Sequence, residues 1–203
     1  MSGYELAEAV RSGLIAQVIS DVEAHLESAH RPMVILIAGG TCSGKSTLAE
    51  QLADMTQATV LALDNYMHTK AWRNLHSFNE TTMSWDHPGA YNYRLALQDL
   101  QRLLSNVSVQ RKFANGESLE LKAAPVVIVE GLHALRTRFA IKGDLGIFVD
   151  LPAAYRLERR LARHREQEKS KDEIIKYFEE IAEPLFRRYV APTRPAANVT
   201  ITG

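Results

Sequence analysis

One junction constrains the fold of this chain more than any other. "MVILIA", Met33 to Ala38, is a continuous apolar run of strand length, and "GGTCSGKST", Gly39 to Thr47, follows it directly. The second segment contains G-x-x-x-x-G-K-[ST], with Gly39, Gly44, Lys45 and Ser46 at the fixed positions. Such a loop works only between a strand and a helix, and the pattern supplies both, the helix starting near Lys45. A run apolar at every position suits a strand buried on both faces of a parallel sheet.

The physics of the loop is specific. Glycines let the backbone fold back so that its N–H groups point at phosphate oxygens. The helix start adds about half a positive charge. Gly39, Gly40, Thr41, Cys42, Ser43, Gly44, Lys45, Ser46 and Thr47 are therefore the expected nucleotide-binding residues. Lys45 is expected to reach the β- and γ-phosphates, and the Ser46 hydroxyl to ligate Mg²⁺. Cys42 is the only cysteine, which excludes an intrachain disulfide. Its place in the loop predicts that alkylation blocks nucleotide binding.

Further strands are expected at "ATVLALD", "PVVIVE", "LGIFVD" and "NVTIT". Helices are expected from about Tyr4 to Ala29, from Lys45, and over "YRLALQDLQRLL", "AAYRLERRLARHREQE" and "KDEIIKYFEEIAEPLFRRYV", the last bent at Pro184. Asn65 to Asn92 reads as a long irregular stretch. "SVQRKFANGESLEL", Ser108 to Leu121, reads as a hairpin turning at Asn115-Gly116. Strands alternating with helices give an α/β three-layer fold: a parallel sheet flanked by helices, with a small β-hairpin flap and a helical lid. The expected organisation is one domain over residues 1–203, with an N-terminal helix at 1–30, the hairpin at 107–121 and the lid at 153–172.

Three expected strands end in acids: Asp64, Glu130 and Asp150. Ligands of parallel sheets bind beyond the carboxyl ends of the strands, so three anions approach the phosphate loop. That arrangement calls for a metal ion or a proton to be moved. Phosphoryl transfer to an alcohol needs a group to accept the alcohol's proton. Asp64 is placed for that role, Glu130 for contact with Mg²⁺, and Asp150 for a structural cap, since Leu151-Pro152 opens the next helix. "RLERRLARHR" puts Arg156, Arg159, Arg160 and Arg163 at helical spacings of three and four, a basic face suited to cover a triphosphate.

The 24 basic and 24 acidic residues balance, which argues against a nucleic-acid motor. No N-K-x-D segment is present, which argues against a guanine-nucleotide switch. No basic, apolar leader opens the chain and no apolar run approaches 18 residues, so a cytoplasmic protein without membrane contact is expected.

Six ordered segments resemble the uridine kinase family, within the uridine kinase and phosphoribulokinase group of P-loop kinases. They are "GGTCSGKST", "LDNYM", "WDHPGAYN", "VVIVEGLHAL", "DLPAAYRLERRLARH" and "EPLFRRYVAPTRPAANVTI", spanning about Pro32 to Ile201. The resemblance implies an ATP- and Mg²⁺-dependent phosphotransferase acting on a small-molecule alcohol, with uridine or cytidine the leading acceptor. Nicotinamide riboside, a sugar phosphate or a pantothenate-like alcohol stays open. It implies Asp64 as the catalytic base, with Lys45, Arg160 and Arg163 acting on the transferring phosphate. It places Asp64, Tyr66, Asp86, His87 and Arg163 at the acceptor, Asp86 on the ribose hydroxyls. A homo-oligomer is compatible with it.

The chain also departs from that pattern. Met67 stands where the family often has tyrosine, and Asn92 and His164 replace aspartates. Lys169 and Lys171 replace lid arginines, losing the planar fork. The hairpin carries no tyrosine or histidine with which relatives read a pyrimidine; Arg111, Lys112 and Phe113 stand there instead.

Overall fold

The computed structural model describes residues 3–28, 31–76, 84–112, 118–136, 142–163 and 170–202, with side chains from residue 13 onward. Five parallel strands form the main sheet: β1 (Met33–Gly39), β2 (Thr59–Ala62), β5 (Val126–Glu130), β6 (Leu145–Asp150) and β7 (Val199–Thr202). Their order is β2-β5-β1-β6-β7. β1 is central because every one of its residues is buried, so it needs a neighbour on each edge and a layer on each face. Ile35 pairs with Ile128 of β5 on one side and Leu145 of β6 on the other.

Alternate residues of the strands feed two separate cores. Ile35, Ile37, Ile128 and Ile147 face α1 (Gly3–Ser28) and α2 (Lys45–Thr56), packing with Val18, Val22, Leu48 and Leu52. Val34, Leu36, Val127, Val129 and Phe148 face α4 (Tyr93–Leu104), packing with Ala96, Leu100 and Leu103. In α1 the four-residue apolar step does not stay on one face. A step of four overshoots a helical turn by about 40°, and Leu26 has rotated out to solvent while Val18 and Val22 remain buried.

Two expectations are corrected here. "ATVLALD" is not buried throughout: β2 lies at the sheet edge with only β5 beside it, and only Leu61 of its four residues is fully buried. The strand stops at Ala62, and Leu63–Tyr66 turns as a 3-10 helix that carries Asp64. The stretch from Asn65 to Asn92 is not irregular throughout, since α3 (Lys70–His76) lies within it. Its base is closed by backbone hydrogen bonds from Asn92 to Tyr66 (2.7 Å) and from His68 to Ala90 (2.8 Å).

The hairpin pairs β3 (Val109–Lys112) with β4 (Ser118–Leu121) in antiparallel register, and Val109 and Leu121 anchor it in the core. The expected Asn115-Gly116 turn and Phe113 lie outside the described residues. Helix α5 (Ala153–Arg163) follows β6, and α6 begins at Lys171, capped by a Ser170–Glu173 capping box. From Phe178 the helix continues to Val190 with two wide π turns around Glu183–Leu185. Pro184, which lacks an N–H, sits between them. Among the described residues no helix is long and apolar enough to cross a membrane.

Candidate active site

The turn out of β1 leaves no room for a side chain at two positions. Gly39 has φ +152°, and a Cβ there would lie 2.3 Å from the Val149 carbonyl oxygen. A Cβ on Gly40 would strike the Arg156 side chain at 2.8–2.9 Å. A cavity of about 750 Å³ opens at the carboxyl ends of the strands, and neither of these glycines lines it. Thr41, Cys42, Gly44, Lys45, Ser46 and Thr47 line it, whereas Ser43 is buried and does not.

Lys45 folds back over the loop, its ammonium donating to the Gly40 carbonyl oxygen at 2.8 Å. Burial lowers its pKa, opposed by the carboxylates of Glu130 and Asp64. The Ser46 hydroxyl donates to Glu130 Oε1 at 3.3 Å. Glu130 ends β5, next but one to the loop's own strand end in register, and burial raises its pKa. Opposite stands Asp64, open to solvent, its Oδ1 taking a hydrogen bond from the Tyr91 hydroxyl at 3.4 Å.

Asp86 forms the far wall. It is 7% exposed, and burial raises its pKa against the Tyr177 hydrogen bond and the Arg160 charge. Above, α5 presents Arg159, Arg160 and Arg163 to the cavity. Arg159 donates to the Ser43 carbonyl oxygen (3.3 Å) and Arg160 to Thr41 Oγ1 (3.2 Å), so the basic helix already grips the phosphate loop. The arrangement brings three acids, one lysine and three arginines around one space, as transfer of a polyanionic group requires.

Several expected positions are corrected. Tyr66 does not face the cavity: it is 1% exposed and its hydroxyl donates to Asp99 at 3.0 Å in the core. His87 also points away, its Nδ1 accepting from Gly89 N at 3.0 Å and its ring lying edge-on to Tyr189. It shapes the turn rather than lining the site. Asp150 is no helix cap but pairs with Arg194 at 2.7 Å. Arg156 is not on the exposed basic face: it is 1% exposed, bonded to the Leu151 carbonyl and Glu183, with its cation over Phe186. In the hairpin, Arg111 is paired with the fully buried Asp99 and is not offered to an anion.

Sequence reasoning missed Tyr91, Trp85, Leu132 and Tyr177, all of which line the cavity. Tyr177 lies beside the buried positions Ile174 and Phe178 of its helix and reads as ordinary amphipathic patterning. Only the placement of α6 against the Asp86 loop reveals its use.

A sequence model of the Phosphoribulokinase / Uridine kinase family matches residues 34–203. The chain belongs to this family. It is a phosphotransferase with a hydroxyl acceptor, and the family implies ATP as donor. Within the family it is 28% identical to a uridine kinase of Chlamydia pneumoniae over 183 residues, 84% of this chain and 82% of that one. It is 29% identical to a uridine kinase of Brevibacillus brevis, over 84% of each chain. Two solved structures share the fold. YFH7 of Saccharomyces cerevisiae has a TM-score of 0.69 at 12% identity, covering 95% of this chain and 99% of that one. Phosphoribulokinase of Rhodobacter spheroides has a TM-score of 0.61 at 13% identity, covering 86% and 71%.

Proposed function

We propose that the chain transfers the γ-phosphate of ATP to the 5′-hydroxyl of a nucleoside, uridine or cytidine first. The observation that carries this reading is that Asp64 and Asp86 share one cavity with Lys45 and Ser46 of the phosphate loop. In this reading residues 1–203 act as one kinase unit, and 153–172 close over the triphosphate.

The acceptor's hydroxyl oxygen attacks the γ-phosphorus and its proton passes to the Asp64 carboxylate. The new O–P bond forms as the bond from the γ-phosphorus to the bridging oxygen breaks, and ADP leaves. Tyr91, hydrogen-bonded to Asp64, holds the base in place. Lys45, Arg160 and Arg163 meet the charge on the transferring group. Asp86 holds the acceptor's sugar hydroxyls.

Ser46 and Glu130 fit a Mg²⁺ ion: a hydroxyl and a carboxylate, both hard oxygen donors, already lie 3.3 Å apart. Mg²⁺ is usually held by one or two protein groups together with substrate phosphates. When bound it neutralises charge on the β- and γ-phosphate oxygens.

The test is an ATP-consumption screen over uridine, cytidine, nicotinamide riboside, sugar phosphates and pantothenate. The proposal expects turnover with uridine or cytidine above every other acceptor. Turnover confined to a non-nucleoside alcohol would overturn it.

A further inference from the structure

We propose that His133 is a positioning residue that fixes the acceptor half of the site to the metal half, by holding the turn that carries Asp86 against the end of β5. This rests on the reading of Asp86 as a group that holds the acceptor and of Glu130 as the carboxylate on the metal.

His133 follows Glu130 closely, in a turn tied to its surroundings. The Gly131 N–H donates to the Ile37 carbonyl oxygen of β1 at 3.1 Å, and the Ala134 N–H closes the turn on the Gly131 carbonyl at 3.2 Å. A Cβ on Gly131 would lie 2.8 Å from Leu63 Cβ, so this turn packs directly against the residue before Asp64. The Asp86 turn is built differently. The His87 N–H donates to the Ser84 carbonyl at 3.2 Å, which leaves the Asp86 carbonyl outside the turn's own hydrogen bond.

The His133 side chain joins the two turns. It is 1% exposed, and its Nε2 lies 3.1 Å from the Asp86 carbonyl oxygen. Burial keeps this imidazole neutral, with its pKa lowered to about 3. A neutral imidazole carries one N–H and a carbonyl only accepts, so the proton sits on Nε2 and is given to Asp86. The same ring meets the Tyr91 ring edge-to-face, with centroids 5.3 Å apart, and the Tyr91 hydroxyl donates to Asp64. One side chain thus touches the backbone of Asp86 and the ring that steadies Asp64.

Packing alone does not account for a histidine here. Its Nδ1 is buried with no hydrogen-bond partner among the described residues, a cost that an apolar side chain of similar size would not carry. What histidine supplies and leucine does not is the N–H to Asp86. A group that meets a reacting molecule must be held closely, since a shift of about 1 Å is enough to slow a reaction about a hundredfold. The phosphate loop does not hang from this contact, so loss of His133 falls on the acceptor and spares ATP.

The experiment measures kcat and KM for uridine, KM for ATP and the thermal midpoint in the wild type, His133→Leu, His133→Gln and His133→Asn. Glutamine places an amide N–H near the position of Nε2, and asparagine near that of Nδ1. His133→Leu is expected to raise uridine KM about 10–100-fold, with ATP KM within about twofold of wild type. Its midpoint is expected within about 4 °C of wild type, since the unpaired nitrogen and the bond to Asp86 go together. His133→Gln is expected to bring uridine KM back to within about threefold of wild type, and His133→Asn to behave as His133→Leu. A uridine KM within about twofold of wild type in His133→Leu overturns the proposal, as does equal impairment of the leucine and glutamine variants. Should the variants fail to fold, the ring-nitrogen NMR shifts of the wild type decide: a proton on Nε2 is expected, and one on Nδ1 overturns it. If the wild type phosphorylates another alcohol and not uridine, the nucleoside reading falls, and the same comparison with that alcohol decides this inference.

Discussion

Ser46 Oγ lies 3.3 Å from Glu130 Oε1, and this contact ties the first turn of α2 to the last residue of β5. It is the point at which the phosphate loop and the carboxylate edge of the sheet become one site. Glu130→Gln keeps the shape and removes the charge. The Mg²⁺ concentration giving half-maximal rate is expected to rise at least about tenfold. A steady-state titration of Mg²⁺ at saturating ATP checks it, and an unchanged half-saturation would remove Glu130 from the metal site.

Asp86 trades stability for function. Burial holds its carboxyl above the ordinary aspartate range, so the folded chain binds that proton more tightly than the unfolded chain. The stabilisation is full below the unfolded-state pKa and is lost as pH rises through the folded one. At pH 8 the ionised group is a burden. Asp86→Asn, which still accepts from Tyr177, is expected to raise the thermal midpoint at pH 8 by about 2–4 °C. The gain should shrink towards pH 4, while acceptor KM rises about tenfold. A lower midpoint at pH 8 would contradict this.

The hairpin's arginine serves the core. Asp99 is fully buried, and Arg111 and Tyr66 are its partners. Arg111→Ala leaves that carboxylate without its cation and is expected to cost about 3 kcal/mol in chemical denaturation. Acceptor KM, corrected for folded fraction, should stay within about twofold, since Arg111 does not line the cavity. A large KM change with unaltered stability would return Arg111 to the substrate.

Cys42 lines the cavity with φ +57°, a left-handed conformation that glycine adopts without strain. Alkylation is expected to abolish ATP binding. Cys42→Gly is expected to keep ATP KM within about twofold and to make the enzyme indifferent to the reagent. Calorimetric titration with ATP before and after labelling measures both; normal binding to labelled protein would show that the side chain leaves the phosphate path clear.

Much of this fold is legible because its signals are strong and local. The apolar run Met33 to Ala38 followed by Gly39, Gly44 and Lys45 admits few structures, and α4 spans the residues its pattern predicts. What failed depends on direction rather than on element type. Asp64 and Tyr66 share one short 3-10 turn, yet Asp64 faces solvent and Tyr66 enters the core. A helical spacing of three and four places Arg156 with Arg159, Arg160 and Arg163, but cannot show that Gly40 leaves room for one guanidinium to be buried. Asp99 is fully buried within α4 because β3 folds back and brings Arg111 to it. Contacts across distant segments, such as Tyr177 with Asp86, leave no trace in local pattern.

The account turns on Asp64 as the base that accepts the acceptor's proton. The direct measurement is single-turnover phosphoryl transfer by Asp64→Asn with ATP and uridine, alongside ATP affinity by calorimetry. Transfer is expected to slow by about 10²–10⁴-fold, with ATP affinity within about threefold of wild type. Transfer at the wild-type rate would contradict the assignment.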